Sequence, residues 1–262
     1  MHRAALVRLV SFVLVVAGTF GTAYGVGRKL PGNPESRPHT HGPQKPSPIP
    51  PSFAVDGYVL VTDATQPSAA SMALHIKGPD GQRVTDFTEV HGSKLHVVLI
   101  RPDLSGFQHL RPEITPDGSF VVPIGDPGKW HIVVDAQPAG TTAPVVLATN
   151  VDDEVRVDTV KLPTPADDLI AGDLRIVRSS LNFNVTTKDG SPADSLETFV
   201  GQAAHLIAIR QGDLAYTHLH PVTAADATFS FAGTLPTGTY RLFLQFGYRG
   251  DVITAAFTVV QP

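Results

Sequence analysis

Cysteine is absent from this sequence of 262 residues. That excludes a disulfide framework, a thiolate nucleophile, a cysteine-based zinc site and a lipid-modified cysteine anchor. Also missing are a Gly-x-Ser-x-Gly nucleophile turn, a glycine-rich phosphate loop and a His-Glu-x-x-His helix, so the expectation is a protein that is not an enzyme. Charged side chains are scarce, at 17%, while glycine and proline number 23 each. Few charged helical faces and many turn-formers point to an all-β chain. A basic surface is lacking too. Residues 1–51 carry six of the 20 Lys and Arg and one acid, which leaves 14 basic against 23 acidic side chains downstream. An acidic body argues against nucleic acid as a partner, because phosphates need a basic surface.

What is present begins with an uncharged run, Leu9–Val26, flanked by Arg3 and Arg8 before it and by Arg28 and Lys29 after it. Eighteen such residues sit at the lower limit for a membrane-spanning helix. Thr22-Ala23-Tyr24-Gly25 is a poor match to the small-residue pattern of a cleaved signal peptide. Residues 1–29 are therefore expected to form an uncleaved anchor that places the rest outside the cytoplasm, or a secretion signal if it is cut. Residues 30–52 follow as a proline-rich stalk, with eight prolines in positions 31–51. A polyproline-like chain of that length reaches ~60 Å. His39 and His41 lie in it and are expected to be merely solvated.

The rest of the chain repeats itself. Asp80–Pro112 aligns with Asp189–Pro221 without a gap, at an offset of 109. His96-Val-Val-Leu-Ile-Arg101 matches His205-Leu-Ile-Ala-Ile-Arg210, and Phe107–Pro112 matches Tyr216–Pro221. After a one-residue slip, Gly128-Lys129-Trp130 matches Gly238-Thr239-Tyr240. Each copy shows seven short runs of strand-formers between turn residues. In copy one they are expected at 58–61, 72–76, 95–101, 107–112, 119–122, 130–136 and 155–162. In copy two they fall at 173–177, 181–186, 205–210, 216–221, 228–231, 240–246 and 252–260. Seven strands per ~100 residues suggest two tandem immunoglobulin-like β-sandwiches, at 53–165 and 166–262. Alternation turns Tyr240, Leu242 and Leu244 one way, and Arg241 and Gln245 the other.

The candidate site lies in the recurring histidines. His96 and His109 are 13 residues apart, and so are His205 and His218; copy two adds His220. On a strand, His218 and His220 share a face. If the chain reverses at Gly212-Asp213, His205 stands opposite His220, giving a three-histidine set able to hold Cu or Zn with one position open. In copy one, Gly106 suggests a longer loop and a shifted register. There Arg111 replaces the third histidine, so His96 and His109 form the weaker candidate, with a structural role favoured. In copy two, strand-end histidines that only cap the sheet remain an alternative to the metal triad. Arg101 and Arg210, each followed by an Asp-Leu pair, read as structural braces to Asp103 and Asp213. Phe107/Tyr216, Phe120/Phe229 and Trp130/Tyr240 read as sandwich-core aromatics.

The His205–His220 stretch, together with Gly106-Phe-Gln-His-Leu-Arg-Pro112, resembles a group of exported or membrane-anchored bacterial proteins of unknown function. These carry duplicated immunoglobulin-like domains and a His-Leu/Val-His-Pro signature, and some are labelled heavy-metal-binding. The resemblance spans most of residues 1–262 and implies an envelope protein; Arg111 departs from the signature. More remotely, the architecture is similar to small periplasmic copper carriers, which use methionine as well as histidine. Here only Met1 and Met72 occur, so a copper(I) thioether site is not expected. Two functions follow: a membrane-anchored metal-binding protein using His205, His218 and His220, or a non-catalytic module that docks another envelope protein.

Overall fold

A computed structural model describes residues 52–63, 71–152 and 155–262, and every regular element among them is a strand. No helix there is long and apolar enough to cross a membrane. The expected anchor, the stalk and the His39/His41 pair fall on residues outside the described ones.

Copy one supplies β1 (Ala54–Val55), β2 (Tyr58–Thr62), β3 (Ser71–Lys77), β4 (Phe87–Thr88), β5 (Leu95–Ile100), β6 (Gln108–Leu110), β7 (Ser119–Pro123), β8 (Lys129–Pro138) and β9 (Val145–Asp152). Copy two supplies β10 (Asp168–Ala171), β11 (Leu174–Ser179), β12 (Asn182–Thr187), β13 (Leu196–Glu197), β14 (His205–Arg210), β15 (Tyr216–Leu219), β16 (Pro221–Ala225), β17 (Thr228–Phe231), β18 (Gly238–Tyr248) and β19 (Asp251–Gln261). Each copy builds two sheets. In copy one the order is β1-β2-β3-β7 against β4-β8-β5-β6, with β9 on β8. In copy two it is β10-β11-β12-β17-β16 against β13-β18-β14-β15, with β19 on β18.

Side-chain alternation explains how these sheets stack. Leu95, Val97 and Leu99 of β5 face the copy-one core with Trp130, Ile132 and Val134 of β8. Leu206 and Ala208 of β14 face the copy-two core with Leu242 and Leu244 of β18. The intervening residues do not meet solvent. Val98, Ile100 and Val133 of copy one join Ile207, Ile209, Tyr216 and Phe243 of copy two in a third apolar cluster. Residues 45–262 therefore form one compact unit, in which the β5-containing and β14-containing sheets pack on each other. All six residues of β5 are buried, as befits a strand covered on both faces. Phe107 and Phe243 stack across this contact, 3.9 Å between ring centroids and 6° from parallel.

Three expectations need correction. Residues 155–162 make no strand; the last strand of copy one is β9, paired with β8 from Val145↔Ala136 to Lys129↔Asp152. Val155 and Val157 alternate with Arg156 and Asp158 as a half-buried strand would, yet both of these valines and Val160 are exposed. The backbone N–H of Val160 donates to the Asp103 carboxylate, 2.7 Å away, in place of a sheet partner. That carboxylate also accepts from Ser105, and Arg101 turns elsewhere: it donates to the Pro127 carbonyl at 3.0 Å and lies over the Trp130 ring at 4.4 Å. Only in copy two does the brace form as expected, with Arg210 donating twice to Asp213 at 3.0 and 2.6 Å. Third, Phe107 and Tyr216 belong to the contact between the copies, whereas Phe120, Phe229, Trp130 and Tyr240 do lie in the sandwich cores.

Candidate metal centre

β14 and β15 pair as Leu206↔Leu219 and Ile207↔His218. One step further along this register, His205 faces His220, the arrangement read from the sequence, although the connection spans five residues instead of two. Copy one has the same register, Val97↔Leu110 and Val98↔His109. Its loop therefore causes no shift, and Arg111 takes the place opposite His96 that His220 takes opposite His205. These histidines and Arg111 lie on the face opposite their own copy's core, the one each copy presents to the other. The histidines of both copies consequently meet in one cluster. His96 lies 4.9 Å from His218 and 6.1 Å from His205, and His109 lies 5.2 Å from His218, between ring centroids.

Two overlapping sets have ligand-capable atoms within 4.8 Å of one another: His205, His218 and His220 from copy two, and His96, His109 and His218 from both copies. The first is the triad expected from sequence. The second joins the weaker pair, His96 and His109, to a histidine of the other copy.

The outer ring nitrogens fix which atoms face inward. Nε2 of His205 lies 2.8 Å from the Phe199 carbonyl, and Nε2 of His96 lies 3.1 Å from the Val90 carbonyl. A carbonyl only accepts, so in each neutral ring Nε2 carries the proton and Nδ1 is left as a lone pair. Gln245 donates its amide N–H to Thr254 at 2.9 Å, which turns its Oε1 to Nδ1 of His109, 2.8 Å away. The Asp135 carboxylate stands 3.7 Å from Nδ1 of His218 and favours a proton there. With Nδ1 donating to Gln245, Nε2 of His109 points inward unprotonated. Lone pair meets lone pair where His96 Nδ1 and His109 Nε2 are 3.3 Å apart, and the lone pair of His205 Nδ1 lies 2.9 Å from His218 Nε2. His220 Nε2 is 3.2 Å from His205 Nδ1. Nitrogens bound tetrahedrally at ~2.0 Å would be ~3.3 Å apart, close to the spacing seen. Holding a ligand ring by its other nitrogen, as at His96, His109 and His205, is the usual support of a metal-bound imidazole.

Electrostatics keep these rings neutral. Burial holds His205 down at about 4 and pushes His96, His109, His218 and His220 below the ordinary histidine value, with Arg111 adding to the effect at His96, His109, His205 and His218. Burial raises the Asp135 carboxyl, against the pull of His96 and His91. Neutral imidazole is the form that binds a metal.

Three participants carried no signal in the recurring histidine spacing. Asp135 and Gln245 occupy equivalent places, related by the one-residue slip after Gly128, and each reaches across to the other copy. The contact is made twice in opposite directions, as in a two-fold interface. His91 has Val200 as its counterpart, so it does not recur. Its ring stacks on His220 at 3.6 Å between centroids, and it lines a cavity of about 100 Å³ with His96, Asp135, His218 and His220. The loops beside it touch: a Cβ on Gly92, at φ +79°, would lie 2.8 Å from the Val200 carbonyl oxygen, so glycine is required there.

Residues 53–153 and 166–261 each match the family described as Domain of unknown function (DUF8832). The chain belongs to this family. It carries the domain twice, and the histidine cluster is built from both copies. No curated protein matches the chain.

Proposed function

We propose that this chain is a non-catalytic, extracytoplasmic metal-binding protein that takes up a divalent transition metal at the histidine cluster between its two domains. One observation carries the reading: ring nitrogens of His205, His218 and His220 converge within 4.8 Å of one another, around a His205 Nδ1 left as a lone pair by the Nε2–Phe199 carbonyl contact. Where lone pairs face, as between His96 and His109, they repel unless a proton or a cation lies between them, and the buried rings resist protonation. An all-imidazole set with no thiolate or thioether suits Zn(II) or Cu(II). The membrane anchor rests on Leu9–Val26 and its flanking charges alone. An immunoglobulin-like form for the second domain is supported by the Tyr240 hydroxyl, which donates to the Pro236 carbonyl four residues upstream at 2.9 Å, much as in the tyrosine corner of that fold.

Calorimetric titration of the full chain with Cu(II) and with Zn(II) at neutral pH tests this reading. Submicromolar binding is expected, weakened ~100-fold or more in His220→Ala. Losing one of three ligands should remove roughly 3 kcal/mol of the binding free energy. No binding by the unaltered chain, or equal binding by the variant, would sink it.

A further inference from the structure

The two halves of the cluster are related by the repeat but differ in charge. In copy two's half stand His205, His218 and His220, with the Asp135 carboxylate 3.7 Å from His218. In the mirror half stand His96 and His109, with the neutral Gln245 where Asp135 is and the guanidinium of Arg111 where His220 is. Arg111 is held there over the Phe199 ring, 4.6 Å from its centroid. One half thus offers three imidazoles and a negative charge, the other two imidazoles and a positive one. The cavity that reaches the cluster is lined by Asp135, His218 and His220 of that first half and by His96 of the mirror half.

We infer that the duplicated site holds a single cation, seated on His205, His218 and His220, and that three residues outside that triad decide this. Asp135, from the other copy, is a positioning residue. It orients His218 and strengthens it as a donor, as a carboxylate does behind a metal-bound imidazole. Arg111 and Gln245 close the mirror seat, because a guanidinium repels a cation and an amide adds no compensating charge. The seat is therefore completed across the boundary between the copies, although its three ligands come from one. This inference rests on the metal-binding reading above.

The test uses the full chain with His39→Ala and His41→Ala, so that the stalk pair does not contribute, and Co(II) as the probe. Equilibrium dialysis gives stoichiometry and affinity, and the visible absorption bands report the coordination. One Co(II) per chain is expected. Asp135→Asn, nearly isosteric, should weaken binding 10- to 100-fold and shift the bands, with partial recovery in Asp135→Glu. Arg111→His combined with Gln245→Asp gives the mirror seat the same side chains as the first. It should raise the stoichiometry to two, with the second cation lost on adding His109→Ala. Binding by Asp135→Asn equal to that of the parent, or a stoichiometry of one in a folded double variant, would overturn the inference and leave the metal reading standing. No Co(II) uptake by the parent chain would overturn both.

Discussion

Replacing His218 with alanine should cost more metal affinity than replacing any other histidine of the cluster. It is the only member of both ligand sets, and each set keeps two histidines without it. Removing His205 or His220 leaves only the poorer set of His96, His109 and His218 beside Arg111, and removing His96 or His109 leaves the copy-two triad. With His218→Ala, affinity should fall at least ~1000-fold, roughly 4 kcal/mol, as two neutral imidazoles bind a divalent ion far less well than three. Calorimetry against Zn(II) checks the number. Circular dichroism checks that the sheets survive, since the change also leaves the Asp135 carboxylate without its nearest imidazole. A variant that folds and binds like the parent would show that His218 is only a packed side chain.

Acidification should destabilise the metal-free protein between about pH 7 and pH 4. The sign follows from where protons bind. Burial holds His205 at about 4 in the folded chain, against ~6.5 when unfolded. Between these values the unfolded chain binds more protons, so stability falls with falling pH and levels off below the folded value. His205 alone should contribute about 3 kcal/mol. His91, His96, His109, His218 and His220 act in the same direction. Asp135 acts in the opposite one: its carboxyl, raised by burial, binds a proton more readily in the fold and offsets part of the loss. Thermal unfolding in the presence of a chelator should show the midpoint falling by about 10 °C or more over this range. With metal in excess the midpoint at pH 7 should rise, because a ligand that binds only the folded state stabilises it. A midpoint that does not move with pH would mean that the rings are not held neutral.

The strands were legible wherever a period-two pattern ran between turn residues: β14 and β17 have the bounds read from the sequence, and the β14–β15 register is the one that places His205 by His220. The pattern misled at 155–162, where alternating valines imitate a strand but no sheet edge receives them. The packing of the two copies went unread although its signal is present. Leu95–Ile100 and His205–Ile209 are apolar or histidine at every position, and a strand with one wet face would have alternated. Recognising that both faces are covered would have pointed His205, and the matching His96, at a second sheet. Asp135 and Gln245 were hidden differently. They recur by position but not by residue type, and their roles appear only when His218 and His109 reach them across the contact. His91 recurs in neither way; only the stacking on His220 reveals it.

X-ray absorption spectroscopy of the full chain loaded with one equivalent of Zn(II), in the His39→Ala and His41→Ala background, bears most directly on a cluster that binds metal through its histidines. The expected first shell has at least three imidazole nitrogens at ~2.0 Å, with outer-shell scattering from the rings, and drops by one nitrogen in His220→Ala. A shell of oxygens with one imidazole or none, unchanged in the variant, would contradict a shared histidine centre.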